Sequence, residues 1–127
     1  MSQARPTSQA RPTLEELTDR LIAFRDERDW RQFQTLKDLI LSLNLEASEL
    51  LELTQWKGEA AFEAAAREPE MRARIAEESA DILNYLLLIT ERAGIDLLEA
   101  AAAKIELNGV KYPVDKARGN ARKYTEL

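Results

Sequence analysis

The 127-residue chain contains no cysteine and no histidine. The first absence removes disulfides, thiolate nucleophiles and iron–sulfur ligation, and it suits a reducing, cytoplasmic location. The second removes the commonest general base, the Ser-His-Asp triad and the usual zinc ligands. Chemistry in this chain must run on carboxylates, lysine, tyrosine, hydroxyls or a metal held by oxygen. Glycine and proline number four each, too few for a turn-rich β-sandwich. No apolar run approaches the roughly 18 residues that would span a membrane, and no secretory hydrophobic segment follows the start. Eighteen basic against 23 acidic side chains leave a formal charge of −5, which argues against nucleic acid as the partner.

What is present reads as helices. Residues 2–7 and 8–13 repeat Ser-Gln-Ala-Arg-Pro-Thr, a polar stretch broken by Pro6 and Pro12, and residues 1–13 are expected to form a flexible tail. Thr13 and Glu16 form a capping-box pattern, predicting a first helix over Leu14–Asp29. Trp30–Thr35 reads as a connector, and Leu36–Trp56 as a long second helix ended by Gly58. A short helix over Glu59–Arg67 precedes a third long helix over Pro69–Ala93, with Pro69 in its first turn and Gly94 beyond its end. Asp96 caps a last helix, Leu97–Asn108, followed by Gly109. The expected fold is an all-α bundle of four to five helices, its helical domain spanning 14–108. Residues 109–127 read as irregular. They hold Lys111, Lys116, Arg118, Arg122 and Lys123 against only Asp115 and Glu126, a basic end on an acidic chain.

Two carboxylate pairs stand out. Glu46 and Glu49 lie on the second helix and Glu78 and Asp81 on the third, each pair spaced i, i+3 and so sharing one helix face. At roughly 100° per residue, Glu46 falls between Leu39 and Leu53, and Glu78 between Tyr85 and Ile89, both inside apolar sectors. Glu49 and Asp81 sit on the borders. Ionised carboxylates facing an apolar interior cost several kcal/mol each unless compensated. A hard divalent cation, Mg²⁺ with Mn²⁺ as substitute, is the simplest compensation; pairing with Lys57, Arg72 or Arg74 is the alternative. A ferritin-like di-iron site needs Glu-x-x-His and is excluded. Mg²⁺ so held keeps positions for substrate phosphates, and the basic C-terminal segment offers charge for their oxygens. No P-loop pattern occurs. Trp30 and Trp56, at a connector and a helix end, are placed to line a pocket, whereas Phe33 and Tyr85 serve equally as core aromatics.

Glu46-x-x-Glu49 followed by Glu78-x-x-Asp81 resembles the signature of the all-α nucleoside triphosphate pyrophosphohydrolases, the MazG superfamily, and most nearly its dCTP pyrophosphatase branch. The likeness runs from about Arg25 to the C-terminus and includes Glu27-Arg28-Asp29-Trp30-x-Gln32-Phe33, Gln55-Trp56-Lys57 and Arg122-Lys123-Tyr124-Thr125-Glu126-Leu127. The resemblance implies packed helices that assemble as a dimer or tetramer. It further implies Mg²⁺-dependent cleavage of a deoxynucleoside triphosphate, dCTP or a modified dCTP, into monophosphate and pyrophosphate. Glu46, Glu49, Glu78 and Asp81 would hold metal, with Glu49 taking the proton of water. Trp30 and Trp56 would flank the base, Tyr85 would sit near the sugar, and Gln34 stands where a base-contacting histidine is expected. Lys104, Asn108, Lys111, Tyr112, Arg122, Lys123 and Tyr124 would meet the triphosphate. A broader dNTPase or dUTPase, a non-catalytic nucleotide sensor and a helical adaptor are the competing readings. The adaptor leaves the carboxylates within apolar faces unexplained.

Overall fold

A computed structural model describes residues 10–127. The tail expected over residues 1–13 lies largely outside these described residues. Six α-helices follow in order: α1 (Leu14–Glu27), α2 (Leu36–Glu52), α3 (Glu59–Ala65), α4 (Pro69–Ala93), α5 (Leu97–Lys111) and α6 (Val114–Ala117), with a 3₁₀ turn at Tyr124–Glu126. No strand occurs among the described residues, so the all-α reading stands.

Local chemistry sets the helix starts. The Thr13 hydroxyl accepts from the Glu16 amide at 3.1 Å, and Thr35 and Asp96 do the same for Asp38 and Glu99 at 3.2 and 3.0 Å. Each cap satisfies one of the amides that a helix N-terminus leaves without an internal partner. Pro69 opens α4, where its missing N–H costs nothing. Gly94 follows the last residue of α4 with φ at +69°, a left-handed conformation that glycine adopts without a Cβ penalty.

The ends differ more from the sequence reading. α2 stops at Glu52, four residues before Trp56, and residues 53–56 continue as turns in which the Thr54, Gln55 and Lys57 amides bond three residues back. The left-handed residue that closes this region is Trp56, φ +67°, not Gly58, which is extended and caps α3. α5 runs through Gly109 to Lys111 instead of ending at Asn108. Its stop is Pro113, because the residue before proline is forced out of the helical region; Tyr112 accordingly sits at φ −123°, ψ 70°. Part of the segment expected to be irregular, Val114–Ala117, is a helical turn.

The chain divides into two compact units, one ending at Ala93 and one spanning Gly94–Leu127. In the first, α4 packs along both α2 and α1. Leu39 of α2, Leu53 just past its end, and Leu87 and Leu88 of α4 are the buried apolar side chains among the described residues, each contributing about 2 kcal/mol by removal from water. Thr90 is buried with them, its hydroxyl donating to the Leu86 and Leu87 carbonyls. This core is thin. On α2, Ile40, Leu41, Leu45 and Leu51 are all at least half exposed.

Candidate active site

Leu39, Glu46 and Leu53 are spaced by seven and share one face of α2. Both leucines are buried against the rest of the unit, so the helix carries Glu46 inward between them. Glu78 and Tyr85 have the same spacing on α4 and are both half-buried. The buried line of this face runs through Leu39 and Leu53, which puts Glu46 at its centre. One carboxylate oxygen from each of Glu46, Glu49 and Glu78 lies within 4.8 Å of the others. Asp81, one turn beyond Glu78, is exposed but close enough for its charge to act on both Glu46 and Glu78.

Both buried carboxyls hold their protons more tightly than an ordinary glutamate. Loss of hydration is the leading cause for Glu46. Next comes Glu49, to which it can give a hydrogen bond when protonated, and then the negative charges of Glu49, Asp81 and Glu78. Glu78 is raised by the same causes in the same order, with Glu77 as its last contributor. Glu46 Oε2 and Glu78 Oε2 are buried and have no hydrogen-bond partner. Lys57, Arg72 and Arg74 do not neutralise them: the ion pairs among the described residues are Arg25–Asp26, Arg25–Glu91 and Arg28–Glu27. A cluster of oxygen ligands from two half-buried glutamates and one exposed one, none in an ion pair among the described residues, fits a hard divalent cation, which needs such ligands and removes their mutual repulsion.

Beside the cluster, α1, the connector and α4 enclose a cavity of about 480 Å³. α4 presents Asp81, Asn84, Tyr85 and Leu88 to it, a single i, i+3, i+4, i+7 face. Asp81 thus lines the cavity while standing near, but outside, the group of three glutamates. Trp30 and Gln34 line it from the connector. Trp30 is set by how α1 ends. Asp29 adopts a left-handed conformation, φ +53°, the Asp29 amide bonds to the Asp26 carbonyl at 3.1 Å, and the Trp30 amide bonds to the Arg25 carbonyl at 3.1 Å. These two bonds form a Schellman motif with Asp in the place usually taken by Gly. The Asp29 carboxylate and carbonyl both accept from Gln32 Nε2, at 3.0 and 3.1 Å. Trp30 then meets Phe24 edge-on, centroids 5.9 Å apart, and the Arg28 guanidinium lies 3.6 Å over Phe24.

Trp56 is 93% exposed and does not line the cavity. A bulky aromatic held at positive φ is unusual and strained, and nothing in its own unit covers it. In the second unit, Lys111, Tyr112 and Tyr124 come together. The two rings meet edge to face at 6.1 Å, and Lys111 Nζ stands 4.9 Å over Tyr124, drawing the C-terminal segment back to the end of α5. Lys104 and Asn108 lie one turn apart on the exposed surface of α5, and Arg122 and Lys123 are exposed without ion pairs among the described residues.

The sequence reading missed three polar cavity residues, Arg20, Arg25 and Asn84. Asn84 was accessible by the same spacing that links Glu78 to Asp81. Arg25 carried no such signal, because a lone arginine in an amphipathic helix reads as solvated.

Comparison with known proteins agrees with the geometry. Residues 41–127 match the model of the MazG-like family. The chain is 42% identical over 116 residues to dCTP pyrophosphatase 1 of Rattus norvegicus, covering 91% of this chain and 68% of the relative. It is 40% identical to the Homo sapiens dCTP pyrophosphatase 1 over the same length, with the same coverage. Among solved structures, a pyrophosphatase from Archaeoglobus fulgidus superposes with a TM-score of 0.74 at 38% identity, covering 85% of this chain and 99% of that one. With its acidic helix pair, its all-α fold and these relatives, the chain belongs to the MazG-like family.

Proposed function

We propose that this protein hydrolyses a pyrimidine deoxynucleoside triphosphate, dCTP or a modified dCTP, to the monophosphate and pyrophosphate with Mg²⁺ as cofactor. The enzyme class, nucleotide pyrophosphohydrolase, follows from the family and its named relatives. The observation that carries the reading is the pair of buried, unpartnered oxygens of Glu46 and Glu78 beside Glu49, opening through Asp81 onto an aromatic-lined cavity. Glu46, Glu49, Glu78 and Asp81 hold the cation. When bound, Mg²⁺ supplies charge against phosphate oxygens and lowers the pKa of water. Glu49, the exposed member of the cluster, accepts the proton of the water that attacks the α-phosphorus. Trp30 offers a ring to the base, Gln34 an amide to its edge, and Tyr85 packs at the level of the sugar.

Residues 109–127 carry the cations that this reading assigns to the phosphates, with Lys104 and Asn108 beside them. Trp56, 93% exposed and not lining the cavity, is assigned to the base bound by a neighbouring copy of the chain, and Ile40, Leu41, Leu45 and Leu51 of α2 supply an apolar face for such association. A homodimer or tetramer is therefore part of the proposal.

The test is pyrophosphate release from canonical and modified dNTPs and NTPs, with Mg²⁺ and with EDTA, using the wild type and Glu78→Gln. Mg²⁺-dependent release of pyrophosphate and the matching monophosphate, lost in the variant while its circular dichroism is unchanged, is the expected result. Orthophosphate release, or an active Glu78→Gln, overturns the assignment. Nucleotide binding without turnover replaces the enzyme with a sensor.

A further inference from the structure

Arg25 is the most deeply buried charged residue described, 6% exposed, and it lines the cavity. Its guanidinium is fixed at one edge by Asp26, Nε to Oδ1 2.9 Å. Nη1 stands 3.8 Å from Glu91 Oε2, close enough for charge attraction but beyond a hydrogen bond. A guanidinium has five N–H donors and no acceptor. One is bonded, and the others have no hydrogen-bond partner among the described residues. None of them is shut off from water, so they open onto the solvent of the cavity, where a ligand acceptor entering it can take the place of water on a guanidinium already held in position.

Position decides which part of the ligand that is. Glu91 is ten residues beyond Asp81 on α4, about three helical turns or roughly 15 Å along the axis. Asn84 and Tyr85 lie one turn from Asp81 and Leu88 two turns. The cation-binding end and the Arg25 end are therefore opposite ends of one cavity. With the phosphates at Asp81, the base falls toward Arg25. Gln34 Oε1, also buried without a partner, faces the same space, and the neighbouring walls, Leu21, Phe24 and Leu88, are apolar. Arg20 also lines the cavity but is exposed and makes no ion pair among the described residues, so nothing holds its guanidinium in one position.

We infer that Arg25 is a base-recognition residue whose guanidinium donates to a ring carbonyl of the substrate pyrimidine, while Gln34 accepts from the exocyclic amine. The inference rests on the pyrophosphohydrolase reading only in taking the cavity as the nucleoside site. It makes the carbonyl a required feature of the base and Arg25 a determinant of KM. Asp26 holds the fork at its Nε edge.

The test compares the wild type, Arg25→Met, Arg25→Lys and Glu91→Gln on dCTP, on 2-thio-dCTP and on 2-deoxyribose 5-triphosphate, which has no base. Arg25→Met is expected to lower kcat/KM for dCTP about ten- to hundredfold, the size of a hydrogen bond to a charged group, chiefly through KM. The base-free substrate should be unaffected. Sulfur is a poor acceptor, so 2-thio-dCTP should already be weakened in the wild type and lose nothing more in Arg25→Met. Arg25→Lys should recover part of the loss, and Glu91→Gln should stay within about threefold of wild type.

An equal loss on all three substrates, or an equal loss in Glu91→Gln, makes Arg25 a structural ion-pair residue and overturns the inference. So does an unchanged Arg25→Met. If Arg25→Met does not fold, wild-type indifference to 2-thio substitution overturns it alone. Calorimetric titration with dCMP separates the two readings. Weaker dCMP binding in Arg25→Met, in a protein that releases no pyrophosphate, sustains base recognition and rejects the pyrophosphohydrolase. A wild type that neither binds nor hydrolyses rejects both.

Discussion

Replacing Glu46 with glutamine should make the metal-free protein more stable at neutral pH and remove most of its response to Mg²⁺. The Glu46 and Glu49 oxygens lie within 4.8 Å of each other. Two unit charges at that separation repel by about 0.9 kcal/mol in bulk water and about 3.5 kcal/mol at an effective dielectric of 20. Glu49 is exposed, so the lower figure governs, and relief of about 1 kcal/mol is the working value, with Glu78 and Asp81 adding in the same direction. For a chain of 127 residues, unfolding entropy near about 2.1 cal/mol/K per residue gives roughly 0.27 kcal/mol/K. The variant should therefore melt about 4 °C above wild type in EDTA. Mg²⁺ at a hundred times its Kd should stabilise the wild type by about 2.7 kcal/mol, roughly 10 °C, and the variant by far less.

The pH dependence of the same experiment has a definite sign. Glu46 and Glu78 titrate above their ordinary value of 4.5 in the folded protein. Between 4.5 and the raised values the folded state binds more protons than the unfolded chain, so stability falls as pH rises through that window. The advantage of Glu46→Gln should be present at pH 7 and shrink as the pH approaches 4.5. Scanning calorimetry with EDTA and with Mg²⁺, at several pH values, reads all three effects. A variant that melts at or below wild type at pH 7, or gains as much from Mg²⁺, refutes the electrostatic account of the site.

Two further substitutions probe the supports of the cavity. Asp29→Val places a β-branched residue at φ +53°, a cost of about 1–2 kcal/mol, and should lower Tm by about 4–7 °C while raising the KM for nucleotide, because the Schellman turn positions Trp30; thermal melts and steady-state kinetics check both, and an unmoved KM separates Trp30 from substrate. Trp56→Ala removes a ring that is 93% exposed in its own unit and should leave far-UV dichroism unchanged while shifting the oligomer toward smaller species by light scattering and raising KM. A variant with unchanged mass and KM removes Trp56 from both the interface and the base.

How far the sequence discloses this site depends on what kind of physical rule each feature obeys. Thr13, Pro69, Gly94 and Asp96 were legible because caps and helix stops act within a few residues of chain. The end of α2 was not, since Trp56, a residue with no local preference for positive φ, takes the left-handed position while Gly58 stays extended. The persistence of α5 through Gly109 has the same character: one glycine costs a helix only about 1 kcal/mol, less than the steric demand of Pro113 that does stop it. The carboxylates were legible because burying charge is expensive enough to need a reason, and a helix wheel reveals the burial. Arg25 is the converse case. Its burial depends on α1 lying against α4 beside Glu91, a contact between residues 66 positions apart in sequence, and no local pattern in α1 announces it. The rules that read along a helix therefore find the acidic end of the cavity, which is built from two i, i+3 pairs. The other end is built where α1, the connector and α4 meet, and its polar lining becomes visible only once the chain is folded.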